Sequence, residues 1–235
     1  MLAALLAITG IRPSKGNALK ITQLKLATSN PGKLREYRRL APDSPISVEL
    51  MAEFANISPF EESAPTFAEI GAGKALYYSR FTDGVVLAED SGLVVPALGG
   101  APGVRSARYG GERLMDEDRV QLVLEQMKGK TGSDRRARFV CVTALACEGR
   151  PLAVVSDFVE GVLTTEPRGS GGFGYDPIFF VAELGCTTAE ASAEDKDRVS
   201  HRGKAFRKII SVIQGSNFPC FDNGEGQQLR DARVL

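Results

Sequence analysis

The 235-residue sequence predicts an α/β protein on a mixed β-sheet with two lobes. Three observations predict it. Strand-like and helix-like segments alternate through the first half. A β-rich middle follows, with two long apolar runs on either side of "EGRP". An amphipathic helix after Ser200 closes the pattern. The length suits one large domain or a two-lobed one, and 43% hydrophobic with 25% charged residues is ordinary for a globular chain.

Taken in order, "LKLAT" (24–28) reads as a short strand. "NPGKLREYRRLA" reads as a helix, with Asn30 as N-cap and Pro31 at the first helical position, where its missing N–H costs nothing. "ISVELM" (46–51) is a second strand. Thr66 with Glu69 three residues on has capping-box spacing and opens a helix through residue 81. "VVLAED" (85–90) reads as a strand that ends in the small polar turn "SGL". Apolar residues near a 3.6 period predict a helix over 113–129. "RARFVCVTALAC" (136–147) and "PLAVVSDFVEGVLTT" (151–165) read as an antiparallel pair. "PIFFVA" (177–182) is a further strand, and Ser200 caps a helix through residue 213. Residues 1–20 and 215–235 read as extensions of a single domain over 21–214, the last stretch as a poorly ordered tail.

Several function classes are excluded. Net charge is zero, so the molecule as a whole does not attract nucleic acid. No apolar run approaches the length of a membrane helix. "MLAALLAITG" lacks a basic residue ahead of its apolar run, which fits a secretory signal poorly. The four cysteines form no CxxC pair, and a single histidine makes a Cys/His zinc site a poor reading; free thiols in a reducing cytoplasm is the preferred one.

Five stretches carry candidate chemistry. In "ATSNPGKLRE" a strand gives way to a helix start, whose unpaired N–H groups attract anions. Lys33 in that first turn opposes the helix dipole unless an anion sits nearby. In "VVLAEDSGL", Glu89 and Asp90 are adjacent acids of the kind that suit Mg²⁺ or a base toward water, and Ser91 can donate to a phosphate oxygen. In "FEESAPTF", Glu61 and Glu62 precede a capped helix, and Lys74 lies farther along it among small residues. In "EDKDRVSHRGKA", Lys196, His201 and Arg202 crowd a helix start. In "GSGGFGYDPIFF", Phe173 or Tyr175 can stack on a planar ring that the glycines let approach, and Asp176 can accept from base N–H groups. Each has a plain structural alternative: a capped helix with a solvated lysine, a polar strand end, helix capping, a structural histidine, a glycine turn with its aromatics folded into the core. Taken together they match what a nucleoside triphosphate with Mg²⁺ requires.

The segments "ATSNPGKLRE", "EESAPTF…GKA", "AEDSGLVVPALGGAPGVRSARYGG", "GGFGYDPIFF" and "SHRGKA" resemble the inosine/xanthosine triphosphate pyrophosphatases over roughly residues 24–213. The resemblance implies an elongated, two-lobed mixed sheet flanked by helices, with a central nucleotide-binding cleft, usually as a homodimer. It implies Mg²⁺-dependent cleavage of ITP, dITP and XTP to the monophosphate and pyrophosphate. By position, Thr28, Ser29, Asn30, Pro31, Gly32 and Lys33 would hold the triphosphate, with Lys74 and Ser91 on phosphate. Asp90 would be proton acceptor and metal ligand, with Glu62 a second ligand. Phe173, Gly174, Tyr175 and Asp176 would hold base and sugar, and Lys196, His201 and Arg202 would recognise the 6-oxo edge. The chain reads "TSN" where TGN is usual in that family, and Gly71 stands near a common Asn. Rival readings are a Maf-like pyrophosphatase for modified pyrimidine nucleotides and a catalytically silent nucleotide-binding module.

Overall fold

The computed structural model describes residues 19–218 apart from positions 43 and 53. Within them, seven strands form one open mixed sheet in the order β2-β1-β3-β4-β5-β6-β7. Strand β1 (Gln23–Leu26) runs parallel to β2 (Ser47–Leu50) and to β3 (Val85–Val94). The chain crosses between them through helix α1 (Pro31–Leu40) and helix α2 (Phe67–Tyr78), since parallel neighbours need a long crossover. From β3 onward every pairing is antiparallel, through β4 (Arg136–Cys147), β5 (Arg150–Leu163), β6 (Phe179–Val181) and β7 (Cys186–Thr187). The β4–β5 hairpin turns on Glu148 and Gly149. Both have positive φ (52° and 75°), as a tight two-residue hairpin requires.

Side-chain alternation along the strands builds two layers. Leu24, Leu26, Val85 and Leu87 face α1 and the last helix, α5 (His201–Gly215), packing on Tyr37, Phe206, Ile209 and Ile213. On the other face Ala27, Val86, Ala88, Ala144 and Ala146 lie under α2, with Ala75 and Tyr78. These alanines let α2 come close, and a side chain at Gly71 would stand 3.1 Å from the Val142 carbonyl and 3.3 Å from the Asp90 nitrogen. A separate cluster joins helix α3 (Asp116–Gln126) to the far end of the sheet through Val120, Val123, Leu93, Phe139 and Phe179. Each fully buried Leu, Ile or Phe contributes about 1.5–3 kcal/mol.

The predicted caps are in place: the Asn30 and Thr66 side chains accept from the N–H of Lys33 and Glu69, and Ser200 from Gly203. The main correction concerns β3. It does not end at Asp90 but continues through Ser91, Gly92 and Leu93 to Val94, in register with β4 as far as Arg138. "SGL" has turn composition, but pairing with β4 overrides it. Gly92 is needed for contact, not bending, since a Cβ there would stand 2.3 Å from Ser106 Oγ. Glu89 and Asp90 therefore lie within a strand and point to opposite faces. Other bounds shrink: the α2 segment ends at Tyr78, α3 covers 116–126 and β6 covers 179–181. A short helix, α4 (Ala193–Val199), capped by Ser192 and carrying Lys196, has too few residues for its period to show in the sequence. At the C-terminal end α5 runs to Gly215, and Phe218 is buried in the core while its carbonyl accepts from the Leu19 N–H. Residues 1–18 and 219–235, on which most of the two predicted extensions fall, lie outside the described residues.

Candidate active site

All five stretches reach one cavity of about 390 Å³. Thr28, Ser29, Asn30, Lys33, Glu62, Lys74, Asp90, Ser91, Phe173, Gly174, Tyr175, Asp176, Lys196, His201 and Arg202 line it, as does Glu89. Pro31 and Gly32 do not. Pro31 is exposed at the start of α1, and Gly32 lies under the Phe173 ring, where a Cβ would stand 2.6 Å from a ring carbon. Gly32 thus joins the α1 turn to the 171–176 turn by leaving room for an aromatic face.

At one end of the cavity the α1 start is organised by its own side chains. Asn30 Oδ1 accepts from the Lys33 N–H, and Thr28 Oγ1 from the Asn30 N–H, both at 3.1 Å. The anion that accompanies Lys33 is a protein carboxylate: its Nζ lies 3.1 Å from Glu89 Oε1. Across from it Lys74 Nζ bridges Glu62 Oε1 at 2.5 Å and Asp90 Oδ1 at 3.2 Å. Burial alone would lower the Lys74 pKa, but Asp90 and Glu62 raise it, so the ammonium stays charged. Arg108 holds Glu62 a second time, donating to Oε2 and to its backbone carbonyl, each at 2.9 Å. Burial would raise the Glu62 pKa; Lys74 and Arg108 lower it. At Asp90 the balance is opposite. Burial outweighs Lys74 and Lys33 and raises its pKa above the ordinary aspartate value. Its Oδ2 is buried without a hydrogen-bond partner.

At the other end lies a buried ion network. Arg202 donates from Nε and Nη2 to the two oxygens of Glu89 at 2.9 and 2.8 Å, from Nη1 to Glu36, and from Nη2 to Ser91 Oγ at 3.0 Å. Lys196 donates to Glu36 at 2.7 Å and to Asp176 at 2.5 Å. Burial would raise the Glu36 pKa, but Arg202 and Lys196 pull it down to about 2. Glu89 accepts further from Tyr37 Oη at 2.7 Å and Ser91 Oγ at 3.0 Å. Lys196 Nζ and Arg202 Cζ stand 5.2 and 5.6 Å from the Phe173 ring centroid, so the ring carries two cations at its face.

Three expectations change here. Tyr175 is buried, and its hydroxyl donates to the Ser106 carbonyl at 2.9 Å, so of the two rings only Phe173 is half-exposed in the cavity wall. Asp176 is already engaged: it accepts from the Phe173 N–H, Thr188 Oγ1 and Lys196. It shapes the turn rather than offering a free acceptor. His201 is not a cation. Burial, with Arg202 beside it, lowers its pKa to about 3, and its ring stacks on Phe139 at 4.9 Å. The crowding of positive charge at the α5 start is thus resolved by Glu36 and Glu89.

Sequence reasoning missed Glu36 as a partner of both cations and Arg108 as a partner of Glu62. Glu36 sits beside Tyr37 on the buried side of α1, and an acid there is the one signal that points to a buried cation. Nothing in the sequence pairs Arg108 with Glu62, 46 residues away.

Among the described residues no group of three or more His, Cys, Asp or Glu side chains forms a ready metal site. A divalent ion that takes two carboxylates and completes its shell with water and phosphate nevertheless fits Glu62 and Asp90. Both supply hard oxygens to one cavity, and Asp90 Oδ2 is buried without a partner.

The profile of the Ham1 family matches residues 24–212. Two proteins described as "dITP/XTP pyrophosphatase" are similar. One, from Thermus thermophilus, is 47% identical over 196 residues, 83% of this chain and 94% of that one. The other, from Geobacillus kaustophilus, is 43% identical over 187 residues, 80% and 92% of the two chains. Among solved structures, a HAM1 protein from Coxiella burnetii superposes with a TM-score of 0.73 at 38% identity, covering 83% of this chain and all of that one. The Staphylococcus aureus Ham1 protein gives 0.72 at 35% identity, covering 82% of this chain and 98% of that one.

Proposed function

The chain belongs to the Ham1 family, and from that premise we propose that its cavity hydrolyses non-standard purine nucleoside triphosphates (dITP, XTP and ITP) to the monophosphate and pyrophosphate. It is a nucleoside triphosphate pyrophosphatase, a hydrolase acting on the α–β phosphoanhydride. The observation that carries the substrate reading is convergence: Lys33, Lys74, Asp90, Phe173 and Arg202, drawn from distant segments, line one cavity that brings cations, acids and an aromatic ring together.

Asp90 accepts the proton of the attacking water, a role that suits a carboxylate with a raised pKa and an unpartnered oxygen. Lys33 and Lys74 face the charge that develops on departing pyrophosphate. Thr28, Ser29 and the Lys33 ammonium at the α1 start bind the phosphate chain. Glu62 and Asp90 would hold Mg²⁺, which supplies charge neutralisation of the phosphates when bound. Phe173 takes one face of the purine. Lys196 and Arg202, each already paired with two carboxylates, donate a remaining N–H toward its 6-oxo group, and a 6-amino group would set donor against donor at a cost of about 1–3 kcal/mol.

A pyrophosphate-release assay on dITP, XTP, ITP, GTP, ATP and modified pyrimidine triphosphates, with and without Mg²⁺, tests this. Turnover of the first three, dependent on the metal, is expected. Preference for pyrimidines would favour the Maf-like alternative, and no turnover at all a silent module.

We also propose a homodimer in the cytoplasm. Val154, Phe158 and Val162 share the exposed face of β5, 41–49% accessible, and a second copy burying them would remove an apolar stripe from water. Cys141 and Cys186 are free thiols, which persist in a reducing compartment. Among the described residues no helix is long and apolar enough to cross a membrane. Phe158→Glu is expected to halve the mass measured by light scattering; an unchanged dimer would move the interface elsewhere.

A further inference from the structure

The cations that line the cavity are not equally engaged. Lys74, Lys196 and Arg202 each meet two carboxylates, and the Lys33 ammonium, with far fewer donors to satisfy than a guanidinium, meets Glu89. Arg119, on α3 and in the wall of the cavity, meets only Asp116, through a single nitrogen (Nη1 to Oδ1, 2.8 Å). Its side chain is 12% exposed and its Nε is buried without a partner. Asp116 is fixed in turn, because its Oδ2 accepts from the Gly174 N–H at 2.8 Å. Asp116 thereby ties this under-used guanidinium to the residue next to Phe173. Arg119 approaches the turn from α3, whereas Lys196 and Arg202 come from α4 and α5.

Resting on the function proposed above, we propose that Arg119 reads position 2 of the bound purine and favours a 2-oxo over a 2-amino group. Guanidinium is donor-only. Xanthine presents an acceptor at position 2, and its ring acidity places negative charge there near neutral pH. Hypoxanthine presents only a hydrogen. Guanine presents an amino donor, which would face a donor and leave both without an acceptor. Guanine shares the 6-oxo group of the other two, so Lys196 and Arg202 cannot reject it, whereas a donor at position 2 can.

The test compares kcat/KM for XTP, ITP and GTP in the wild type, Arg119→Leu and Arg119→Lys, with thermal midpoints for each. Arg119→Leu is expected to lose about tenfold or more on XTP, to change several-fold less on ITP and to gain on GTP. Arg119→Lys keeps a charge without the fork and is expected to fall between. A parallel fall on all three substrates would overturn the assignment, leaving Arg119 as a prop for the Gly174 turn; unchanged ratios in both variants would overturn it as well. A wild type inactive on all three would instead refute the proposed function, and this assignment with it.

Discussion

Asp90→Asn is expected to bind ITP about as tightly as the wild type when Mg²⁺ is absent, and with Mg²⁺ to lose about a thousandfold in kcat, within the range ascribed to a positioned general base. Asparagine is nearly isosteric. Its amide oxygen can keep the 3.2 Å contact with Lys74, so neither α2 nor the fold is disturbed. The missing function is the capacity to take up a proton at the oxygen that is buried and unpartnered in the wild type. Binding followed by calorimetry and turnover by pyrophosphate release separate the two effects. A kcat within about tenfold of wild type would remove Asp90 from the catalytic role; lost binding with intact kcat would make it a substrate-holding residue instead.

Arg202→Ala is expected to destabilise the protein by about 3–5 kcal/mol, a large share of the roughly 5–15 kcal/mol typical of a domain. The arginine is almost wholly buried and serves two buried acids, Glu36 and Glu89; without it both keep their desolvation penalty and lose their main counter-charge. Urea unfolding near neutral pH measures this, and a loss under about 1 kcal/mol would show that the network contributes little. The same network is expected to make urea unfolding of the wild type easier as pH falls. The Glu36 pKa falls from 4.5 to about 2 in the folded state, and that of Glu89 lies well below its ordinary value, so the stability they supply is present above pH 4.5 and is lost as pH falls toward the folded values. His201 begins the decline earlier. Its pKa drops from 6.5 to about 3, so the unfolded chain takes up a proton that the folded one refuses, at about 1.4 kcal/mol per pH unit through that window.

Much of this protein was legible in its residues alone. Asn30, Thr66 and Ser200 announced three helix starts because a cap acts within a few residues. The β4–β5 hairpin followed from two apolar runs about a tight turn, and the motifs named the stretches that reach the cavity. Local signals were enough for the fold class and most elements, though not for α4, β7 or the full length of β3. The tertiary structure alone decided what each charge does. Whether "SGL" bends or stays extended depended on β4, a distant segment whose Cys141 pairs with Ser91. Whether His201 carries a proton, which ring can stack and which acids answer Arg202 depended on burial and on partners such as Glu36, 166 residues from Arg202. Caps and periodicity are local interactions and are written locally. Desolvation and ion pairing sum over whatever the fold brings within a few ångströms, so only the packed chain specifies them.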